Sequence, residues 1–232
     1  MAGKYFLIDT TRCTACRGCQ VACLQWNKLP ATVTTQLGTH QNPSELNGVT
    51  YRLVRFVEHS APVNSMVWYF LSDSCRHCLK PPCKEAADMF AEGAILIDKN
   101  GAVIYTAKTR ELTEHFQDIQ DACPWSIPQL DKRSGRLTKC DMCHKRVESG
   151  LLPACVKACP TGALNFGDQA FVRELADRRL SAAKSRFGDR AQILNAEDVR
   201  ALYLVVDDLD EYYPPSGGFQ PPGDNLDPAR DP

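Results

Sequence analysis

Apolar residues recur along the chain in short runs, and the lengths of these runs predict brief strands. Four runs have the length and composition of strands, and the last two are expected to be buried: Tyr5–Asp9, Thr50–Val57, Met66–Leu71 and Ala201–Val206. A fifth region, Ala94–Thr106, has two β-rich segments on either side of Asn100 and Gly101. Because Asn and Gly tolerate positive φ, this region is predicted to form a hairpin.

Two regions have a helical pattern. Residues Cys19–Trp26 predict one or two helical turns. Residues Asp168–Phe187 predict a longer helix, in which Phe171, Leu175 and Leu180 fall near one face and charged residues lie between them.

Two other stretches have no repeating apolar pattern. Residues 30–50 are rich in Thr, Asn, Gly and Pro and are predicted to form a loop. Residues 214–232 form a Pro/Gly-rich tail with little apolar surface to bury. We therefore expect this tail to be either disordered or extended over a partner.

The composition excludes several classes of function. The 232 residues carry a formal net charge of −1, so no overall field attracts the chain to nucleic acid or to an anionic membrane. No run approaches the roughly 18 consecutive apolar residues of a membrane-spanning helix. The first residues, Met1–Cys13, contain neither a twin-arginine pair nor the apolar region of a signal peptide. We expect a chain with no export signal of its own, which leaves the cytoplasm only if a partner carries one.

The chain has 12 cysteines, and their C-x2-C spacings favour metal ligation over disulfides. In two-cluster ferredoxin runs, three cysteines on a tight loop bind one cluster, and a fourth cysteine after three more residues binds the other cluster. Two runs of this chain complement each other in that way. They predict two [4Fe–4S] clusters: cluster 1 on Cys13, Cys16, Cys19 and Cys159, and cluster 2 on Cys23, Cys140, Cys143 and Cys155.

The region between these runs follows the same spacing with half of its cysteines missing. Three cysteines stand close together, and counting forward from them, or back from the later Cys123-Pro124, gives four vacant positions. The vacant positions are Ala87, Thr113, Phe116 and Ile119. Together they would be the full ligand set of one cluster, so we expect apolar side chains to fill that site. The remaining cysteines predict cluster 3: Cys75, Cys78, Cys83 and Cys123.

The predicted fold class is α+β, with two interleaved ferredoxin-like units that each follow the dicluster 4Fe–4S pattern. The second unit is inserted into the first, and a C-terminal helix and an extended tail follow. The expected divisions are 1–30 with 132–167 for the first unit, 31–131 for the insert with one cluster, 168–213 for a helix and strand, and 214–232 for the tail.

The ordered motifs "CRHC…PPC", "CDMC" and "LLPACVKACPTGALNFGD" resemble those of the iron–sulfur subunits of molybdopterin oxidoreductases. With "HQNP" at 40–43 and "VRF" at 54–56, the chain is most similar to the small subunit of soluble tungsten- or molybdenum-containing formate dehydrogenases, up to about residue 213. The resemblance implies a beta subunit that transfers electrons through three [4Fe–4S] clusters and is not itself catalytic. No Ser/His/Asp set, phosphate-binding Gly loop or flavin motif contradicts this.

The resemblance also implies partners and a location. Cluster 1 would face a large catalytic subunit with a tungsten or molybdenum bis-pterin cofactor, cluster 2 would be the middle station, and cluster 3 would face the electron acceptor. That acceptor would be a multihaem cytochrome c. The complex would be periplasmic by co-export with the large subunit, or cytoplasmic if that subunit has no signal.

Several alternatives stay open at this point. The chain could equally be the iron–sulfur subunit of another molybdopterin enzyme or of a hydrogenase, because those subunits carry the same series of clusters. A zinc-bound structural adaptor is an alternative of a different class. His77 is expected beside the ligands or at the surface, and Trp125 in the core. Lys139, Lys145 and Arg146 are expected to form a solvated basic face, with tuning of a cluster potential as the alternative.

Overall fold

A computed structural model of the chain describes residues 3–35, 38–61 and 65–213. The expected tail at 214–232 lies outside the described residues. The strands are β1 Lys4–Asp9, β2 Arg52–Ala61, β3 Ser65–Ser74, β4 Ile95–Ile97, β5 Val103–Tyr105, β6 Gln129–Asp131, β7 Arg136–Thr138, β8 Leu164–Asp168, β9 Gln192–Leu194 and β10 Ala201–Val205. The helices are α1 Gly18–Asn27, α2 Pro82–Asp88, α3 Phe116–Asp121, α4 His144–Glu148, α5 Ala154–Lys157 and α6 Gln169–Phe187, and short 3-10 turns lie at Thr10–Arg12, Ala107–Leu112, Gly188–Arg190 and Leu209–Tyr212.

The main sheet has four strands in the order β8-β1-β10-β9. Strand β1 runs parallel to β10 and antiparallel to β8, so Phe6 lies between Ala201 and Phe166. Because side chains alternate across a strand, the two faces of β1 have different neighbours. Tyr5 and Leu7 pack towards α6. Phe6 and Ile8 pack towards the cysteine-bearing loops.

Helix α6 forms where the sequence predicts a helix and covers one face of this sheet, but its most buried residues are not the three apolar residues of the predicted face. Val172, Ala176 and Ala183 are buried against the sheet. Leu175 and Leu180 are only partly buried, and Phe171 is 51% exposed. The Phe171 ring lies over Gly167, where an added Cβ would approach it to 2.7 Å. The small residues of α6 therefore bring the helix close to the sheet, and the larger ones flank the contact.

Strands β2 and β3 form a long antiparallel hairpin that extends further than the sequence predicts. Its proximal part is buried at Leu53, Val54 and Leu71. The expectation that Met66–Leu71 is wholly buried is wrong, because Met66 is 59% and Trp68 49% exposed. In the distal half, His59 and Tyr69 contact Glu211 and Tyr212 of the last 3-10 turn, whereas Met66, Val67 and Trp68 are exposed.

The other predicted elements are confirmed. Strands β4 and β5 form the hairpin expected within Ala94–Thr106, and β1, α1 and β10 lie where the apolar runs place them. The described part of residues 30–50 has no helix or strand beyond one bridge between Asn47 and Thr50. No helix in the described residues has both the length and the apolar character needed to cross a membrane.

Candidate metal centres

The first four predicted ligands surround one cavity beside the main sheet. Cys13 and Cys16 lie on the loop before α1, Cys19 lies in the first turn of α1, and Cys159 follows α5. All four line the cavity together with Ile8. Burial raises the pKa of Cys13 to about 11, and the neighbouring charges of the other three cysteines of the set raise it as well. Four thiolates this close together would repel one another, and a bound metal centre would compensate their negative charge.

The second set joins two helices. Cys23 lies on α1, one turn after Cys19, and Cys155 lies on α5, which packs against α1. Cys140 and Cys143 lie on the loop between β7 and α4. Burial holds the pKa of Cys23 well above its ordinary value, and the largest further causes are the charges of Cys140 and Cys155. The four thiols of this set are therefore mutual neighbours in the interior.

The third set lies in the insert. Cys75 and Cys78 follow β3, Cys83 lies on α2 and Cys123 follows α3. All four line one cavity. Burial raises the pKa of Cys78 to about 12, with added repulsion from the other three cysteines of the set. The structure thus brings together each of the three sets of four that the spacing predicts.

The loops that hold these cysteines are tightly turned. Five of the non-glycine residues with positive φ lie within them: Ala15, Arg17, His77, Met142 and Cys143. This conformation turns backbone amides towards sulfur, as the His77 N–H donates to Cys75 Sγ at 3.4 Å and the Met142 N–H to Cys140 Sγ at 3.4 Å. The residue types gave no signal for these positions, because left-handed backbone is usually the role of glycine.

The turn after Cys159 supplies a similar environment. The Leu164 N–H donates to Cys159 Sγ at 3.5 Å, and the Thr161 hydroxyl lies 3.8 Å from the same sulfur. Burial alone would raise the pKa of Cys159, but these hydrogen bonds outweigh burial and lower it. Amides that stabilise a thiolate also stabilise a sulfur that carries negative charge as a metal ligand.

The donor set fits iron–sulfur clusters. All twelve cysteines are free of disulfides. Yet nowhere in ranges 3–35, 38–61 and 65–213 are three Cys, His, Asp or Glu side chains placed to hold one metal ion. A zinc site needs its donors on a single ion at about 2.0–2.3 Å, whereas each cysteine of a cubane binds a different iron and stands further from the others. Four free thiols line each of the two cavities described above, and four is the number of cysteines that one such cluster takes.

Buried polar groups near the cysteines also fit an anionic group. Arg52 and Lys139 are buried, and no carboxylate of the described chain forms an ion pair with either of them. The buried Tyr105 hydroxyl lies beside the Cys83 thiol and has no oxygen or nitrogen partner among the described residues. An unpaired buried charge or donor is costly unless something compensates it. A cluster held by four thiolates carries net negative charge and would do so.

One expectation about a single residue is wrong, and the expectation for His77 is met by its first alternative, a place beside the ligands. Lys139 does not belong to a solvated basic face, because it is buried and donates to the carbonyl oxygens of Val103 and Cys140 at 2.5 and 2.9 Å. His77 is not at the surface: it is fully buried, and its Nδ1 accepts the Val103 N–H at 3.1 Å. Lys145 is exposed, as expected. Trp125 is partly buried and lines the cavity that the third set of cysteines surrounds.

Three of the four vacant positions meet in one apolar group in the insert. Ala87 on α2 and Ile119 on α3 are fully buried, and Phe116 packs against them. Thr113 differs, because it is exposed and its hydroxyl donates to the carbonyl oxygens of Arg110 and Gly135. Leu112 next to it is buried in the same group. Apolar side chains therefore fill the space between α2 and α3. Leu112, rather than its neighbour Thr113, supplies the fourth of these side chains.

Comparison with known proteins places this geometry in a family. Residues 66–169 match the family of the 4Fe-4S dicluster domain. The chain is 47% identical over 216 residues to formate dehydrogenase 2 subunit beta (cytochrome c-553) of Nitratidesulfovibrio vulgaris, covering 92% of this chain and 98% of that protein. It is 47% identical over 205 residues to the formate dehydrogenase subunit beta of Megalodesulfovibrio gigas, covering 88% and 94%.

A more distant relative is the formate dehydrogenase-O iron-sulfur subunit of Escherichia coli. It is 36% identical over 199 residues, which are 86% of this chain and 64% of the relative. The two more similar relatives match almost end to end. The chain belongs to the iron–sulfur beta subunits of formate dehydrogenase, which transfer electrons through 4Fe–4S clusters.

Proposed function

We propose that this beta subunit holds three [4Fe–4S] clusters on the three sets of cysteines described above. The observation that carries the proposal is the grouping of all twelve thiols into three separate sets of four, with none left over. When bound, the clusters would supply one-electron carriers. The chain's own part is to hold the thiolates, direct backbone amides at their sulfurs and exclude water from them.

The packing between the sets supports a linear path. Cys19 of the first set and Cys155 of the second belong to one apolar group. Cys140 of the second set and Cys75 of the third belong to another. The outer sets approach the surface, since Cys16 is exposed at one end and Cys78 and Cys123 are partly exposed at the other. The second set, whose four thiols are buried, would therefore hold the middle cluster of the electron-transfer path.

The interleaving of two ferredoxin-like units is part of this proposal. The turn from Cys75 through His77 has the same geometry as the turn from Cys140 through Met142. In both turns, the second residue after the cysteine has positive φ, and its N–H donates to the cysteine sulfur. The contact of α1 with α5 around the second set has a counterpart in the contact of α2 with α3. These parallels support an insert at 31–131 built on the same plan as 1–30 with 132–167.

The partners follow from the family. A beta subunit implies a catalytic alpha subunit, and we infer that this partner holds the tungsten or molybdenum bis-pterin cofactor and docks near the first set. The name of the Nitratidesulfovibrio vulgaris relative includes cytochrome c-553. We infer by analogy that the acceptor here is a c-type cytochrome, of the multihaem kind that the sequence resemblance suggests, and that the complex works in the periplasm.

The substitution Cys123→Ser tests the cysteine assignment. Cys123 is the cysteine that completes the third set, and a serine oxygen is a weaker ligand for iron than a thiolate. With four irons in each cluster, we expect iron to fall from about twelve per chain towards eight, or towards eleven if one iron alone leaves. The formate-dependent reduction of the first two clusters should survive, while electron transfer to the native acceptor should be lost.

A matched control is Asp121→Asn, which changes an exposed residue just before the same loop and should keep all the iron. Full iron and unaltered spectra in Cys123→Ser would show that Cys123 is not a ligand. Loss of all iron in that variant would show that the two units do not hold their clusters independently.

A further inference from the structure

Arg52 is a buried cation without a matching anion in the described protein. It is the first residue of β2 and is 2% exposed. Its NH1 donates to Ser72 Oγ at 2.8 Å and to the Ser72 carbonyl oxygen at 3.3 Å. Arg55, on the opposite face of the same strand, is also buried but is paired with Glu45 at 2.7 Å and Asp73 at 2.8 Å. The two arginines differ in the source of their compensating charge.

Arg52 lies close to cysteines of two of the sets. It lines one small cavity with Cys23 of the second set, and Ser72, which accepts from Arg52, lies against Cys19 of the first set. Burial lowers the pKa of Arg52, but the charges of Cys155 and Cys140 in the second set, followed by Tyr203 and by Cys19 in the first set, outweigh burial and raise it. Arg52 therefore lies at the junction between the first and second sets. Lys139 has the corresponding place between the second and third sets, beside Cys140, Cys75 and Cys83.

Ser72 connects Arg52 to the first set. Its Oγ lies 3.4 Å from Cys19 Sγ. Because the Arg52 N–H occupies an acceptor position on Ser72 Oγ, the Ser72 hydroxyl proton is free to point at the sulfur, and a ligating thiolate can only accept. The Tyr203 hydroxyl donates to the Ser72 carbonyl oxygen at 3.1 Å and fixes the backbone. The result is a chain of hydrogen bonds from the guanidinium to one ligand of the first set.

We propose that Arg52 is a positioning residue that raises the reduction potentials of the first two clusters, and that Ser72 transmits part of this effect to the first cluster alone. The proposal rests on the proposed assignment of the three clusters. Reduction adds a negative charge, which a buried cation stabilises more strongly than it would in water. A hydrogen bond to a ligating sulfur acts in the same direction. Both effects favour the reduced form.

The test is a redox titration of the intact complex with its alpha subunit, followed by electron paramagnetic resonance, which resolves the clusters. In Ser72→Ala, the first cluster alone should shift to lower potential. In Arg52→Gln, the first two clusters should both shift, by a tenfold or larger fall in the reduced-to-oxidised ratio at a fixed ambient potential, or about 59 mV for a one-electron couple. The third cluster serves as the internal reference.

Two further variants separate charge from structure. Arg52→Lys keeps the charge and loses the forked donor, so the second cluster should stay near its original potential while the first falls. Arg55→Gln is the matched control for loss of a buried arginine from β2. It should shift the first two potentials much less than Arg52→Gln does, because Arg55 lies on the opposite face of the strand, Asp73 keeps its ion pair with Arg76, and Glu45 is exposed to solvent.

The outcomes are distinguishable from failure of the three-cluster assignment. Fewer than three cluster signals in the unsubstituted complex would count against the assignment itself. Full iron with an unshifted first cluster in Ser72→Ala and Arg52→Lys would overturn the transmission through Ser72. Unshifted first and second clusters in Arg52→Gln, or in the uncharged Arg52→Met if Arg52→Gln does not fold, would overturn the role of Arg52. Equal shifts of all three clusters in Arg52→Gln would also overturn it, because they would show a general change in the protein.

Discussion

Ala15 shows how a single residue shapes a cysteine loop. It is a buried residue between Cys13 and Cys16, with φ at 51°, and it lines the first cavity. Left-handed backbone costs a residue with a Cβ about 1–2 kcal/mol. Alanine is tolerated there because its side chain is small and packs in the apolar group around Cys19. The loop therefore holds its shape against a local preference, and the bound group has to help maintain it.

We predict that Ala15→Val weakens the first cluster site. A β-branched side chain is poorly accommodated at positive φ and would also crowd the cavity. Iron content should fall towards eight per chain from about twelve, and the loss should come from the first cluster's spectral signal. The neighbouring Thr14 is exposed, so Thr14→Val is the control and should keep its iron. An Ala15→Val protein with full iron would show that the loop adapts without the small residue.

At the scale of elements, a helix contact lies where the cysteine spacing predicts a missing cluster. Helices α2 and α3 meet through Ala87, Phe116 and Ile119, in an apolar group that also contains Cys83 of the third set. This packing joins the two short helices beside the third set of cysteines. Helices of this length are marginal alone and depend on tertiary packing for their stability.

We predict that Ile119→Ala destabilises the protein without removing iron. Truncation of a fully buried isoleucine costs about 2–5 kcal/mol, because it loses apolar burial and leaves a cavity. Chemical denaturation of the iron-loaded complex should report a lower midpoint, while iron per chain stays unchanged. Gln117→Ala on the exposed side of α3 should change the free energy of unfolding by less than about 0.5 kcal/mol. Iron loss in Ile119→Ala would mean that the group also supports the third set directly.

The sequence predicts elements and cysteine sets better than it predicts burial. Spacing is enough to group the twelve thiols, because the ligands of such clusters recur at fixed intervals along the chain. Spacing does not reveal that Lys139 is buried, because a lysine beside a metal loop has the same local sequence whether it faces water or the interior. It also does not reveal the exposed end of the β2–β3 hairpin, where Met66 and Trp68 have the composition of a core strand.

At the scale of the molecule, the three cysteine sets take the place of much ordinary core. The described core is divided into four apolar groups, and three of them contain cysteines of the proposed ligand sets. We therefore predict that the chain made in iron-starved cells is degraded or aggregates, because metal binding contributes directly to the free energy of folding. Pulse-labelling would report its half-life. A stable apo chain with native circular dichroism and protected amides would contradict the prediction.

The pairing of β1 with β10 has a consequence for biosynthesis. A chain leaves the ribosome from its N-terminus, and units fold as they become complete. The third set is complete once Cys123 has been made, whereas the first set waits for Cys159 and its sheet for Ala201–Val205. Synthesis therefore finishes the cysteine sets in the reverse of the order in which electrons from formate would pass through them. The first set, which we propose faces the catalytic subunit, is therefore the last to be completed, after the other two sets have all their ligands.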